Sequence, residues 1–252
     1  MALGLGFNQP IRVRRFAVPL AGLPEALSPF RVLHFSDTHL GGRPNQENRL
    51  LDVLSSVEAD LLAFTGDALY SYETDGTVAL RFFRRLAERV EPRFGLHLVR
   101  GNHDNRPAVA RMRQAGFSVL VNESRLLQDG SPPVYLVGVD DPRWGFDDLQ
   151  LALTRVPNDA FTMLLAHSPD VLPDAAKHGI DIALAGHTHG GQIRLPWVGA
   201  LVTRTRIDQR YAWGLNRYGD TVSHTTCGTG CSFPPIRLLC PQEVVLLELT
   251  RA

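Results

Sequence analysis

Histidine, aspartate and asparagine recur in this 252-residue chain at one kind of place, the end of a short apolar run. Val32-Leu33-His34-Phe35-Ser36 runs into Asp37-Thr38-His39. Leu61-Leu62-Ala63-Phe64-Thr65 runs into Gly66-Asp67, and Leu96-His97-Leu98-Val99-Arg100 into Gly101-Asn102-His103-Asp104. Further on, Met163-Leu164-Leu165-Ala166 meets His167, and Ile182-Ala183-Leu184-Ala185 meets Gly186-His187-Thr188-His189-Gly190-Gly191. Carboxylate, imidazole and amide oxygen without thiolate suit a borderline or hard divalent ion such as Mn²⁺, Fe²⁺, Zn²⁺ or Mg²⁺. His187 and His189 stand two positions apart, so an extended backbone sends both imidazoles to one side, where each can serve a different ion of a pair. Singly, each element has an ordinary explanation: Gly66-Asp67 as a turn, His167 as a hydrogen-bonded core histidine. Together they gather five of the nine histidines, which independent turns would not do.

The apolar runs read as strands over residues 31–36, 61–65, 96–100, 134–139, 161–166, 182–185, 222–225 and 244–249. Helical spacing falls at 46–57, 78–90, 107–115 with Pro107 in its first turn, and 169–178. Ile11 and Val13, then Phe16 and Val18, alternate as an edge strand feeding a turn, and the Gly, Pro and Arg-rich stretch 190–219 reads as long loops or hairpins. Strand and helix alternate in the first half, and strands dominate the second. That pattern predicts a mixed α/β sandwich in a single domain over residues 1–252. In an open α/β sheet the carboxyl ends of strands face one crevice, so all five clusters are expected to converge.

Lys+Arg and Asp+Glu both number 26, leaving no basic excess to grip a nucleic-acid backbone. Nucleic acid remains open as a substrate, not as a tightly held duplex. Arg204, Arg206, Arg210 and Arg217 read either as contacts for substrate phosphate or as a solvated arginine-rich surface. No apolar run reaches the 18 or so residues that cross a bilayer, and Pro19, Pro24 and Glu25 interrupt the one stretch that resembles a signal peptide. A cytoplasmic chain is the expectation. Cys227, Cys231 and Cys240 are too few for a disulfide framework; they read as reduced thiols, or as part of a zinc site completed by His224. No nucleophile elbow, P-loop or dinucleotide fingerprint occurs.

The order D-x-H, G-D, G-N-H-D, H and G-H-x-H, intact between Asp37 and Gly191, resembles the calcineurin-like metallophosphoesterase family. The resemblance implies a four-layer α/β/β/α sandwich of two mixed sheets flanked by helices, with two divalent metal ions at the strand ends. Manganese is the first expectation for them; iron, zinc and magnesium are the others. By the same resemblance Asp37, His39, Asp67 and His189 hold the first metal. Asp67 bridges to the second, held also by Asn102, His167 and His187. His103 contacts the phosphate and assists the leaving group. The reaction so implied is hydrolysis of a small-molecule phosphodiester, or of an activated phosphomonoester, by a hydroxide between the ions. Asp104 reads either as orienting His103 and favouring its charged form or as a helix N-cap before Pro107.

The stretch from Gly186 to Pro196, and the tail Gly228-Thr229-Gly230 through Pro234-Pro235-Ile236-Arg237-Leu238 to Cys240-Pro241, resemble a bacterial branch whose members are often membrane-associated. That narrower likeness implies a phosphodiesterase, or a pyrophosphatase acting on a nucleotide-linked lipid precursor with peripheral membrane contact. Two departures are visible: the branch's N-terminal membrane segment is missing, and Ala68-Leu69-Tyr70 follows Gly66-Asp67 where a further acidic residue is common. A non-catalytic metal-binding scaffold is the alternative from another class. Such scaffolds usually lose the residue matching His103 or a ligand, and here all are present.

Overall fold

The computed structural model describes residues 9–41 and 44–252. Its first half runs β1 (Arg12–Leu20), β2 (Phe30–Phe35), α1 (Pro44–Ser55), β3 (Leu61–Phe64), α2 (Thr77–Ala87), β4 (Leu96–Val99), α3 (Arg106–Gln114) and β5 (Ser118–Leu120). There follow β6 (Glu123–Gln128), β7 (Val134–Gly138), α4 (Leu149–Ala152), β8 (Phe161–Leu165), α5 (Leu172–Lys177) and β9 (Ile182–Ala185). The chain closes with the two-residue strands β10 (Arg194–Leu195) and β11 (Gly199–Ala200), then β12 (Gly214–Tyr218), β13 (Thr221–Thr225) and β14 (Glu243–Arg251). One six-stranded sheet has the order β1-β14-β2-β3-β4-β5 and the other β12-β13-β9-β8-β7-β6. Both are mixed: β14 runs antiparallel to β2 in the first, and β12 and β6 run antiparallel to their neighbours in the second.

Side chains alternate across each strand, and that alternation builds three apolar layers. On β3, Leu61 and Ala63 point between the sheets, where they meet Met163 and Leu165 of β8 and Ile182 and Leu184 of β9. Leu62 and Phe64 point outward to Leu51 and Leu54 of α1 and Phe82 and Phe83 of α2. On the other outer face Leu164 and Ala183 pack against Leu172 and Ala175 of α5 and Leu149 of α4. Helix, sheet, sheet, helix is the resulting stack. Helices α1, α2 and α3 cover one side, and the much shorter α4 and α5 the other.

All eight strands expected from the apolar runs form, and β1 is an edge strand. The structure goes beyond the sequence reading at several elements, β5 and α4 among them. Strand β6 was not legible, because its half-exposed edge position leaves ESRLLQ with no apolar alternation. The stretch 190–219, expected as long loops or hairpins, holds the antiparallel pair β10–β11, and its β12 forms a hairpin with β13 as the edge of the second sheet. The expected helix over 169–178 starts as a 3₁₀ turn at Pro169–Val171, capped by the Ser168 hydroxyl, before α5 begins.

Candidate functional site

The carboxyl ends of β2, β3, β4, β8 and β9 lie side by side, and the residues just past them meet. His39 Nε2 stands 3.0 Å from His189 Nε2, and His189 Nε2 is 3.5 Å from an Asp37 carboxylate oxygen. His187 Nδ1 is 3.2 Å from His167 Nε2, which is 3.3 Å from Asp67 Oδ2. Asp67 Oδ2 also lies 4.0 Å from His39 Nε2 and 3.9 Å from His103 Nε2. One carboxylate thus reaches both sides of the site. Ligand atoms close enough to share an ion are offered by Asp37, His39 and His189, by Asp67, His167 and His187, and by His39, Asp67 and His103.

The backbone delivers these groups by turning sharply. Asp37, His39, Asp67, His187 and His189 all have φ between 44° and 69°, the left-handed region that side-chain-bearing residues seldom adopt and that clusters at functional sites. Two glycines make room. A Cβ on Gly66, itself at φ 94°, would stand 2.6 Å from the Gly101 nitrogen and 2.7 Å from His167 Nδ1, and one on Gly186 would run into Ser36 and Asp37. Hydrogen bonds lock the turns: the Asp37 carboxylate accepts from His187 N–H at 3.0 Å, and Asp67 Oδ1 from His103 N–H at 2.8 Å.

Backbone carbonyls fix the imidazoles. His39 Nδ1 faces the Leu69 carbonyl at 3.1 Å, His167 Nδ1 that of Thr65 at 2.7 Å, and His103 Nδ1 that of Tyr70 at 2.8 Å. A carbonyl can only accept, so each Nδ1 carries a proton and each Nε2 is turned into the site. Imidazole nitrogens facing one another at about 3 Å, with the buried Asn102 Oδ1 lacking any partner, are a set of groups that suits cations. Electrostatics agree. Burial lowers His39 to about 4 and His187 to about 3, and holds His189 well below the usual histidine range. Burial pushes Asp37 up to about 6. Burial also opposes charge on His167, yet Asp67 and then Asp37 raise that ring to about 10, and His167 in turn keeps the buried Asp67 well below the usual carboxylate range. Two buried carboxylates here demand positive charge.

Asp104 takes neither expected position. Its carboxylate accepts from the backbone N–H groups of Asp67, Ala68, Leu69 and Gly101 at 2.9 to 3.2 Å, so it anchors the turn that carries Asp67. The cap of α3 falls to Asn105, whose side chain accepts from Ala108 N–H. Asp141, past the end of β7, was overlooked; it is buried, one carboxylate oxygen has no partner, and its charge adds to the pull on His167. The rule that found the other strand ends would have found it. The cysteines are free and buried, and none joins a metal-ligating group among the described residues. His224 points between the sheets instead, its Nδ1 3.2 Å from His34 Nδ1.

A model of the calcineurin-like phosphoesterase family matches residues 30–191. An uncharacterized metallophosphoesterase of Bacillus subtilis, YkuE, is 30% identical over 90% of this chain and 81% of its own. The phosphodiesterase YaeI of Escherichia coli is 30% identical over 91% and 86%. Among solved structures, a dimetal phosphatase from Danio rerio aligns with a TM-score of 0.48 at 13% identity, covering 82% of this chain and 90% of that one.

Proposed function

Since the chain belongs to the calcineurin-like phosphoesterase family, a family of metal-dependent phosphoester hydrolases, we propose that it hydrolyses phosphodiesters with two divalent ions, manganese first among them. The observation that carries this reading is the pair of facing imidazole couples, His39 with His189 and His167 with His187, on either side of Asp67. Asp37, His39, Asp67 and His189 would hold one ion; Asp67, Asn102, His167 and His187 the other. Such a pair supplies Lewis-acid charge on the phosphoryl oxygens and a water-derived nucleophile at neutral pH. The rest of the chemistry belongs to the chain. Asp67, within reach of both groups of ligands, would set the spacing of the two sites. The Tyr70 carbonyl holds His103 Nδ1, leaving Nε2 as the atom that passes a proton to the departing oxygen. Asp104 serves from behind by fixing the Asp67 turn. The likeness to a phosphodiesterase over most of both chains supports the diester over the monoester.

The test is turnover of bis-p-nitrophenyl phosphate by chelated protein before and after Mn²⁺ is returned, with bound metal counted on the same sample. Two ions per chain and metal-dependent turnover are expected, and Asp67→Asn should lose both together. Two bound ions with no hydrolysis of any diester would leave a metal-binding scaffold in place of an enzyme.

A further inference from the structure

Arg237 is the least expected buried group in the molecule. It sits in the loop between β13 and β14, only 2% exposed, and no carboxylate among the described residues lies within ion-pair distance of it. Glu243, at the loop's far end, is engaged by Arg14, Trp213, Thr226 and the Cys227 N–H. A buried guanidinium without a counter-ion is costly unless its donors are satisfied. Here they go to main chain: Nε and Nη2 donate to the Gly230 carbonyl at 3.0 and 2.6 Å, and Nη2 also to that of Cys227 at 2.6 Å. Nη1 reaches the Cys240 carbonyl at 3.4 Å. The remaining contact is with the metal cluster, Nη2 lying 3.3 Å from His189 Nδ1.

The peptide that Arg237 gathers is the one that seats Asp37. Gly230 N–H donates to the Asp37 carbonyl at 2.6 Å, and Thr229 N–H to that of Ser36 at 3.1 Å. Contact is close enough that a Cβ on Gly228 would stand 2.7 Å from Asp37 Cβ. From the other end of the loop, the Cys240 thiol donates to the His189 carbonyl at 3.1 Å. Asp37 and His189 belong to the same ligand group. No hydrogen bond joins Arg237 to Asn102, His167 or His187. Histidines 39 and 167 each have a carbonyl behind Nδ1, whereas His189 has this guanidinium.

We propose that Arg237 is a positioning residue that assembles the Asp37–His39–His189 metal site and leaves the Asp67–Asn102–His167–His187 site to form without it. The inference rests on the two-ion reading above. A planar fork with five donors serves the Cys227, Gly230 and Cys240 carbonyls at once while lying against His189; lysine, with three donors on a point charge, does not hold that arrangement. The charge itself works against a cation one imidazole away. The geometric contribution must therefore outweigh a repulsion, and that fixes the sign of the test.

Wild type, Arg237→Gln and Arg237→Lys are loaded with Mn²⁺, desalted and assayed for bound metal, for affinity by chelator competition, and by electron paramagnetic resonance. Wild type should hold two ions with a spin-coupled spectrum. Both variants should keep one ion at wild-type affinity, show the six-line spectrum of isolated Mn²⁺, and bind the other ion about 10 to 100-fold more weakly. Thermal unfolding of the metal-free proteins is measured alongside. Two ions at wild-type affinity in the variants, tighter binding in Arg237→Gln, or loss of both ions in step with collapse of the metal-free fold would each overturn the proposal. Arg237→Lys keeps the charge and most of the stem, so it decides the matter if Arg237→Gln does not fold. A wild type that binds fewer than two ions would overturn the two-ion reading itself.

Discussion

At the scale of single residues, His103 separates proton transfer from simple charge stabilisation. Its side chain is 28% exposed, its Nδ1 is committed to the Tyr70 carbonyl, and its Nε2 looks into the site 3.9 Å from Asp67. If Nε2 protonates the departing oxygen, His103→Ala should keep both ions and lose about 10² to 10⁴-fold in kcat/KM on a diester with an alkyl leaving group. The loss should be clearly smaller with p-nitrophenolate, which leaves without help. Comparing the two diesters, with metal content determined on each sample, distinguishes the roles: equal losses would mean that His103 only stabilises charge on the phosphoryl oxygens. The residues legible in the sequence are those whose side chains do chemistry. Those that hold them were not, because the Thr65, Leu69 and Tyr70 carbonyls that orient three histidines are backbone atoms any residue would provide. Arg237 was visible only as one letter in a tail motif; nothing near it in the sequence says that its fork closes on a loop from residues 227 to 240.

At the scale of elements, strands and ligands were legible together because each ligand follows an apolar run that must be buried, and burial on a sheet fixes where the run ends. Helix α4 and strand β6 escaped for the opposite reason: four residues make too short a period, and a half-exposed edge carries no alternation. The turn after β3 is the junction on which the site depends, since Gly66 passes between the Gly101 backbone and the His167 ring. Gly66→Ala places a methyl where there is no room, in a conformation that alanine resists. It should cost the metal-free protein on the order of 1–3 kcal/mol in thermal or urea unfolding and weaken metal binding, because Asp67 follows directly. Unchanged stability with full metal content would show that the turn yields more readily than its contacts imply.

At the scale of the whole molecule, the apolar layer where the two sheets meet holds a pair of histidines beneath the metal site. His34 of β2 and His224 of β13 face each other across that layer, and His34 Nε2 is 2.9 Å from Thr65 Oγ1, in the residue whose carbonyl holds His167. Burial holds His34 well below the usual histidine range and lowers His224 to about 4. The unfolded chain takes up protons on both near pH 6.5, while the folded chain does so only at much lower pH. Their neutral burial is therefore without penalty above pH 6.5 and destabilises the fold increasingly as pH falls towards about 4. In an NMR titration of the metal-loaded protein, neither imidazole should titrate above about pH 5; a midpoint near 6.5 for either would mean that water reaches the layer. The first sheet has another property of long range. Strand β14 lies between β1 and β2, parallel to one and antiparallel to the other, and the entire second sheet is encoded between β2 and β14. On a translating ribosome, β1 and β2, which leads into Asp37, therefore emerge well before β14 as two open edges with the strand that joins them still unmade. Such edges invite pairing with other chains, so the nascent protein passes through a long interval in which its first ligands exist but their sheet does not, an interval best suited to a chaperone that covers β-edges.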